Sequence, residues 1–364
     1  MSEIGTLPPN AMEQHYNGFQ KIDYSVLSPG AAELADGTSN IKCAYTPELE
    51  MKMLLFQKPA AGPEEVVIHL RAAGICGSDV HFWKDGRIAD SVVSQPCCAG
   101  HESAGEVIEV GANWKDKINV GDRVALEMGI PCGKPDCEEC LSGGYNGCPH
   151  TVFFSTPPYH GTLGRYPVHP GAWVHKLPDN VSYTEGALCE PLCVALAGIE
   201  RGGVKLADPV VIALATLLAA RAAGAAPVVI TDVVESRLDF ARTLVPGVRT
   251  VLINPAKSPQ EIAAEVRTAA GLPVKIVLEC TGMESSIHAA TYIVSFGGHV
   301  HIIGVGKSIQ TFRYIRQAIR LVSEGLVNIL PLVTHNVPLA EAVSAFNVAA
   351  DPSQGAIKVH IVDN

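Results

Sequence analysis

Gly74-Ile75-Cys76-Gly77-Ser78-Asp79-Val80-His81 and, downstream, Gly100-His101-Glu102 are the segments around which the chain is organised. A cysteine between glycines, followed within one turn by a hydroxyl and an imidazole, is laid out as a reactive surface and not as packed core, because glycine lets the backbone come close to a bound group. Cys76, His101 and Glu102 together offer sulfur, nitrogen and oxygen. Zinc accepts all three and, when catalytic, needs only three protein ligands, which leaves a position for substrate. Taken alone, a cysteine and a distant histidine are as readily unrelated core residues. A second cysteine group tips the reading towards metal.

Cys132, Cys137, Cys140 and Cys148 follow the spacing C-x4-C-x2-C-x7-C in a polar segment containing Pro131, Pro135 and Gly143-Gly144. Such a loop has little apolar material to hold it, so a tetrathiolate zinc is its natural clamp. The other reading is four unrelated thiols in a reducing compartment.

The 364 residues suggest two domains, and 47% apolar residues supply ample core. A formal net charge of -10 argues against nucleic acid or an anionic membrane as partner. Eleven cysteines fit a reduced compartment better than a disulfide framework. With no basic segment leading into an apolar run at the N-terminus and no long apolar span, the expectation is a cytoplasmic protein acting on a small molecule. Residues 1–40 are polar and without period, and read as a mobile extension.

Residues 41–180 show short β-rich runs such as Glu65 to Leu70 and Glu106 to Val110 between Gly/Pro/Asp turns. This spacing predicts a small, partly open β-barrel, and both metal segments lie in it. Residues 181–325 change texture. Ser182-Tyr183-Thr184-Glu185 is a capping-box pattern before a nearly apolar helical run that contains Glu190, a carboxylate costly to bury unless it is paired or bound to a metal. Beyond Asp208, strands and helices alternate: Pro209 to Ala213, Leu214 to Ala223, Pro227 to Asp232, Glu235 to Leu244, and onward to a strand at Gly298 to Gly304. This predicts a doubly wound parallel sheet of the Rossmann type. Asp232 ends the second strand, where an acid binds the adenosine ribose and disfavours a 2'-phosphate, although a helix-capping aspartate reads the same way. Residues 326–364 return to the first domain, with a helical Ala340 to Ala349 and a strand-like Ala356 to Ile361.

These segments carry a resemblance. Gly-Ile-Cys-Gly-Ser-Asp-Val-His, Gly100 to Val107, Val120 to Val124, the four-cysteine loop, Cys189-Glu190-Pro191-Leu192, Glu279-Cys280-Thr281-Gly282 and Gly355 to Val359 resemble the zinc-containing medium-chain dehydrogenases, and within them the sorbitol, xylitol and L-arabinitol dehydrogenase group. The resemblance implies a GroES-like catalytic domain, one catalytic and one structural zinc, and oxidation of a polyol to the ketose with hydride transfer to NAD. It further implies Glu190 as a conditional fourth ligand of the catalytic zinc and Ser78 and His81 as a proton relay. Phe82 and Phe154 then line the substrate pocket, and Arg237, Thr281, Gly282, Gly304, Val305 and Gly306 join Asp232 at the cofactor. A homo-oligomer, dimer or tetramer, is implied as well.

The chain departs from the family pattern twice. Val210 to Leu218 passes from strand to helix without a glycine, where relatives carry Gly-x-Gly-x-x-Gly. A second gap follows Lys307, where relatives have another strand bearing an Arg-Tyr pair that reaches the polyol; Arg313-Tyr314 is the remnant of that pair. The lost strand lies at the sheet edge that pairs across the family's dimer, which puts the oligomer in question. Losing two or three charge-assisted hydrogen bonds to a pyrophosphate removes roughly 4 to 7 kcal/mol. That is about a thousandfold or more in affinity. The sequence therefore predicts weak or absent cofactor binding, and a catalytically silent zinc protein stands as the alternative to the dehydrogenase.

Overall fold

A computed structural model describes residues 23–304 and 314–364. The chain divides into two compact units, one of Met1–Ala187, His335–Asp351 and Lys358–Asn364, the other of Leu188–Thr334 and Pro352–Ile357.

The first unit is built on antiparallel strands. Its main sheet runs Val174–Lys176, Arg123–Leu126, Glu102–Val110, Glu65–Gly74, Lys358–Val362, and Val168–Pro170 also pairs with Glu65–Gly74. The sheet is open, and no closed barrel is formed among the described residues. Alternation along these strands turns Val66, Ile68, Val107, Val124 and Leu126 into one core with Ile118 and Met128, as expected for a sheet with a single apolar face. Gly105 is required here, because a Cβ at that position would stand 2.3 Å from the His69 carbonyl oxygen.

A second, four-stranded sheet has the order Tyr24–Val26, Met51–Phe56, Asn40–Tyr45, Cys97–Cys98. It corrects the expectation of a mobile segment up to residue 40. Tyr24, Ser25 and Val26 pair antiparallel with Phe56, Leu55 and Leu54, and the Tyr24 ring stands 5.8 Å from that of Phe56. A three-residue strand that adds to an existing edge is held by its partner's backbone, so it leaves no periodic signature of its own. Residues 1–22 lie outside the described part of the chain.

The C-terminus is fastened by a buried polar group. Arg165 donates from Nε to Asp363 Oδ2 at 2.7 Å and from Nη2 to Oδ1 at 3.1 Å. His69 Nε2 lies 3.0 Å from Asp363 Oδ2, and Arg165 also donates to the Ser39 carbonyl at 2.8 Å. One guanidinium thus ties the last strand to the strand opening at Asn40.

The second unit is the expected doubly wound sheet, five parallel strands in the order Arg249–Leu252, Val228–Asp232, Val210–Ile212, Ile276–Glu279, His299–Ile302. Its best-defined crossover is Pro259–Ala270, opened by a Ser258/Glu261 capping box with proline at the first turn and stopped at Gly271 in the left-handed region. The first crossover differs from expectation. The helix predicted over Leu214 to Ala223 has exchanged its first turn for a 3-10 turn, Leu214–Thr216, and is α-helical only over Leu217–Ala222. With no loop between strand and helix, reversal of the chain consumes helical residues. The Ser182/Glu185 box forms as predicted at the head of the helix Tyr183–Arg201. Among the described residues, no helix is long and apolar enough to cross a membrane.

Burial works against the Asp363 carboxylate, yet His69 and Arg165 outweigh it and hold its pKa below the ordinary value. A carboxylate depressed in this way stabilises the fold above its unfolded pKa and loses that contribution as pH falls through the folded one. Asp363→Asn should therefore cost about 3 kcal/mol in denaturant unfolding at pH 7, the cost of leaving Arg165 buried without its anion. The difference from the parent chain should close as pH drops below about 4.

Candidate functional site

The strand Glu65–Gly74 runs directly into the helix Gly77–Asp85, and Cys76 is the residue at the junction. Its extended backbone and the reciprocal bonds between Cys76 and Asp79 form a capping box, with the Cys76 amide donating to Asp79 Oδ2 at 3.2 Å. The thiol is thereby held at the N-terminus of this helix. His101 and Glu102 stand at the start of the neighbouring strand Glu102–Val110, and Glu102 is the register partner of Gly74. Gly74 must be glycine, since a Cβ there would stand 2.0 Å from Glu102 Oε2.

One ligand atom each of Cys76, His101 and Glu102 falls within a 4.8 Å cluster, and the four loop cysteines form a second such cluster. His101 and Glu102 are buried. Glu102 is not free: Lys358 Nζ donates to its two oxygens at 2.7 and 2.8 Å and to the Ile75 carbonyl at 3.2 Å. Asp79 is 1% exposed. Its Oδ1 accepts from Ser155 Oγ at 2.6 Å and from the Gly100 amide at 3.2 Å, and lies 3.5 Å from His101 Nδ1. His101 Nδ1 has no hydrogen-bond partner closer than that. With Nδ1 turned to Asp79, Nε2 faces Ser78 Oγ at 3.4 Å.

Burial opposes a charge on His101, but Asp79 and Cys76 beside it outweigh burial and raise its pKa well above the ordinary value. A thiol, an imidazole and a carboxylate gathered within one cluster, two of the three residues buried, fit zinc in ligand type and burial. Four thiols in one cluster fit a second zinc, closed to substrate.

Other residues singled out from sequence fall as follows. Ser78 stands at the His101 imidazole. His81 is exposed on the same helix, with Nδ1 3.0 Å from Asp85 Oδ2. Phe82 is buried and stacked on Tyr45 at 5.4 Å. Phe154 packs on His169 at 4.9 Å, and it is its neighbour Phe153 whose ring stands 5.4 Å from His101. Glu190 is 6% exposed in the helix Tyr183–Arg201 and belongs to the second unit. Tyr314 is buried at the head of the helix Ile315–Ser323. Val305, Gly306 and Arg313 lie outside the described residues. Ser155 and Lys358 were not legible as site residues, because each acts across a contact distant in sequence; Asp79 stands in the opening motif and meets Cys76 locally, but its contacts with Gly100 and Ser155 are distant.

In the second unit, Asp232 ends its strand, accepts from the Val234 amide at 2.9 Å and lies 3.8 Å from Arg237 Nη1. An acid so placed fits an adenosine ribose. The turn meant for the phosphates does not fit them. The Thr216 and Leu217 amides donate back to the Ala213 and Leu214 carbonyls, and Thr216 is 1% exposed. The Thr281 and Gly282 amides donate to Glu279, at 2.9 and 2.8 Å. Gly304 is packed so closely on this turn that a Cβ would stand 2.2 Å from the Gly282 nitrogen.

The alcohol dehydrogenase GroES-like domain family matches residues 62–179, and the zinc-binding dehydrogenase family matches residues 211–325. An L-arabinitol 4-dehydrogenase of Talaromyces emersonii is 46% identical over 336 residues, which span 83% of this chain and 86% of that protein. The sorbitol dehydrogenase of Homo sapiens is 40% identical over 322 residues, 82% of this chain and 89% of that protein. A Sinorhizobium meliloti 1021 protein described as a zinc-binding dehydrogenase and solved with NADP superposes with a TM-score of 0.78 at 25% identity, covering 89% of this chain and 99% of that one.

Lys358→Met should leave Glu102 buried without a counter-charge. In metal-free protein the expected loss is about 3 to 5 kcal/mol of unfolding free energy. Saturating zinc should return most of it, as read by thermal unfolding with and without the metal.

Proposed function

The chain belongs to the zinc-binding dehydrogenases, and on that premise we propose that it oxidises a polyol to a ketose with NAD as hydride acceptor, L-arabinitol first and sorbitol or xylitol close behind. The observation that supports this most is the buried cluster of Cys76, His101 and Glu102, in a chain 46% identical to an L-arabinitol 4-dehydrogenase. One zinc is held by that cluster and a second by Cys132, Cys137, Cys140 and Cys148. When bound, the first supplies Lewis acidity to the substrate hydroxyl.

The chain's own groups do the rest. Cys76 and His101 are aimed by Asp79, which takes the Cys76 amide on one oxygen and faces His101 with the other. Ser78 Oγ, beside His101, is placed to accept the hydroxyl proton and pass it on. His81 lies one helical turn further on the same face and is exposed, with Nδ1 3.0 Å from Asp85 Oδ2, so it is placed to release the proton to water. Phe153 shields the His101 ring from solvent. Asp232 favours NAD over NADP, since its carboxylate repels a 2'-phosphate. Eleven free thiols suit the reducing cytoplasm.

A specific observation favours a second reading, a zinc protein without turnover: the Thr216 and Leu217 amides are engaged within the turn itself. Calorimetric titration of zinc-loaded protein with NAD, with L-arabinitol-dependent NADH formation followed in the same preparation, separates the two. Micromolar binding with turnover upholds the dehydrogenase. Two zincs per chain with no detectable NAD binding upholds the second reading.

A further inference from the structure

The four-cysteine loop spans the gap between two short strands, Gly129–Ile130 and Val152–Phe153, which pair as a hairpin with Gly129 opposite Phe153 and Ile130 opposite Val152. Cys132 follows the first strand by two residues and Cys148 precedes the second by four. A two-residue ladder is too short to hold its own register, so closure of the thiol cluster decides where the returning strand lies. That strand and the turn after it carry two residues to the other cluster. Phe153 places its ring 5.4 Å from the His101 imidazole. Ser155 is 1% exposed and donates to Asp79 Oδ1 at 2.6 Å.

Ser155 is held with some insistence. Its φ of 70° lies in the left-handed region, uncommon for a residue with a side chain and maintained only where the surroundings fix it. The fixing contacts are the Asp79 bond and the Tyr45 hydroxyl, which donates to the Ser155 carbonyl at 2.5 Å. Asp79 in turn meets both the Cys76 amide and the His101 ring. A chain of direct contacts therefore runs from the thiol loop through Ser155 and Asp79 to two ligands of the first cluster.

We propose that the four-cysteine loop positions the first metal site: its closure by metal fixes Ser155, and Ser155, through Asp79, sets the affinity of the Cys76–His101–Glu102 cluster for its metal. This rests on the reading of both clusters as metal sites and adds a coupling between them. Ser155 is a positioning residue, since it touches Asp79 and not the metal or the substrate.

The test uses the full chain with the loop loaded by one equivalent of Cd2+, chosen for its preference for thiolates and tracked by its thiolate absorption in the ultraviolet. Co2+ is then titrated, and its visible d–d bands report both the affinity and the ligand geometry of the first cluster. Ser155→Ala should weaken Co2+ binding there about tenfold or more and shift the bands, with the cadmium signal unchanged. Ser155→Gly, which accepts the left-handed backbone without strain but also lacks the hydroxyl, should weaken Co2+ binding as Ser155→Ala does, so that the loss belongs to the hydroxyl and not to the backbone. A Cys132→Ser/Cys148→Ser chain, with the loop disabled, should lose a similar factor, and adding Ser155→Ala to it should cost little more, because both changes act on one path.

Parent-like Co2+ affinity and bands in Ser155→Ala, or parent-like affinity in the loop-disabled chain, would overturn the coupling while leaving both metal sites in place. Absence of the cadmium–thiolate absorption in the parent would overturn the loop's metal reading and the coupling with it. If the loop-disabled chain does not fold, the two Ser155 variants decide the question alone.

Discussion

Charge in a place that water does not reach is the constraint on which the first unit depends. Asp79 and Glu102 are each 1% exposed. A buried carboxylate without partners costs several kcal/mol or gives up its charge. Each is answered in a different way. Asp79 collects two backbone amides and a serine hydroxyl, whereas Glu102 takes a lysine from the last strand. The second answer has topological consequences. Lys358 reaches Glu102 only if the C-terminal strand returns to pair with Glu65–Gly74, and Glu102 can lean across that strand only because position 74 lacks a Cβ. The sheet order, the glycine and the fastening of the C-terminus by Arg165 and Asp363 thus serve one electrostatic requirement.

The same distinction explains what could be read in the chain beforehand. Ligand type and local spacing are written in short segments, so Cys76, His101, Glu102 and the four loop thiols could be named from sequence, and the structure gathers them into two clusters. The alternation of strand and helix beyond Asp208 is likewise a local pattern, and the parallel sheet follows it. Partners that depend on register are not local. Lys358 lies 256 positions from Glu102, and Ser155 lies 76 from Asp79. Nothing in the neighbourhood of either residue signals its target. Which of two adjacent phenylalanines stands beside His101 is likewise unwritten in the sequence: Phe153 ends the strand Val152–Phe153 paired with Gly129–Ile130 and its ring lies 5.4 Å from His101, whereas Phe154, in the turn that follows, packs on His169.

In the second unit the strand Val210–Ile212 passes almost directly into the turn Leu214–Thr216. A phosphate cradle needs amide protons that point outwards, and a glycine allows the backbone to turn them that way and to approach the anion. At Leu214–Thr216 the chain reverses through a 3-10 turn instead, whose bonds close three residues back. The Thr216 and Leu217 amides are consumed in that closure. The opposing turn offers no substitute, because Glu279 accepts from the Thr281 and Gly282 amides and from the Ser286 hydroxyl. An anion arriving between the two turns would have to compete with a buried carboxylate for the same donors, and the repulsion of like charges adds to the cost.

Asp232 ends its strand as the ribose acceptor proposed above should, so the adenosine end and the phosphate region of a cofactor crevice would make unequal demands on the sequence. A ribose needs one acceptor at a strand end, which a single side chain provides whatever the length of the neighbouring turn. A pyrophosphate needs several backbone donors at once, which only a loop of sufficient length provides. One side-chain hydrogen bond to the ribose, about 1.5 to 3 kcal/mol when charged, is too small to replace two or three from the loop. Asp79, Lys358, Ser155 and all seven residues of the two clusters belong to the first unit. The contacts that hold the Cys76–His101–Glu102 cluster lie within it, so they do not pass through the turn at Leu214–Thr216.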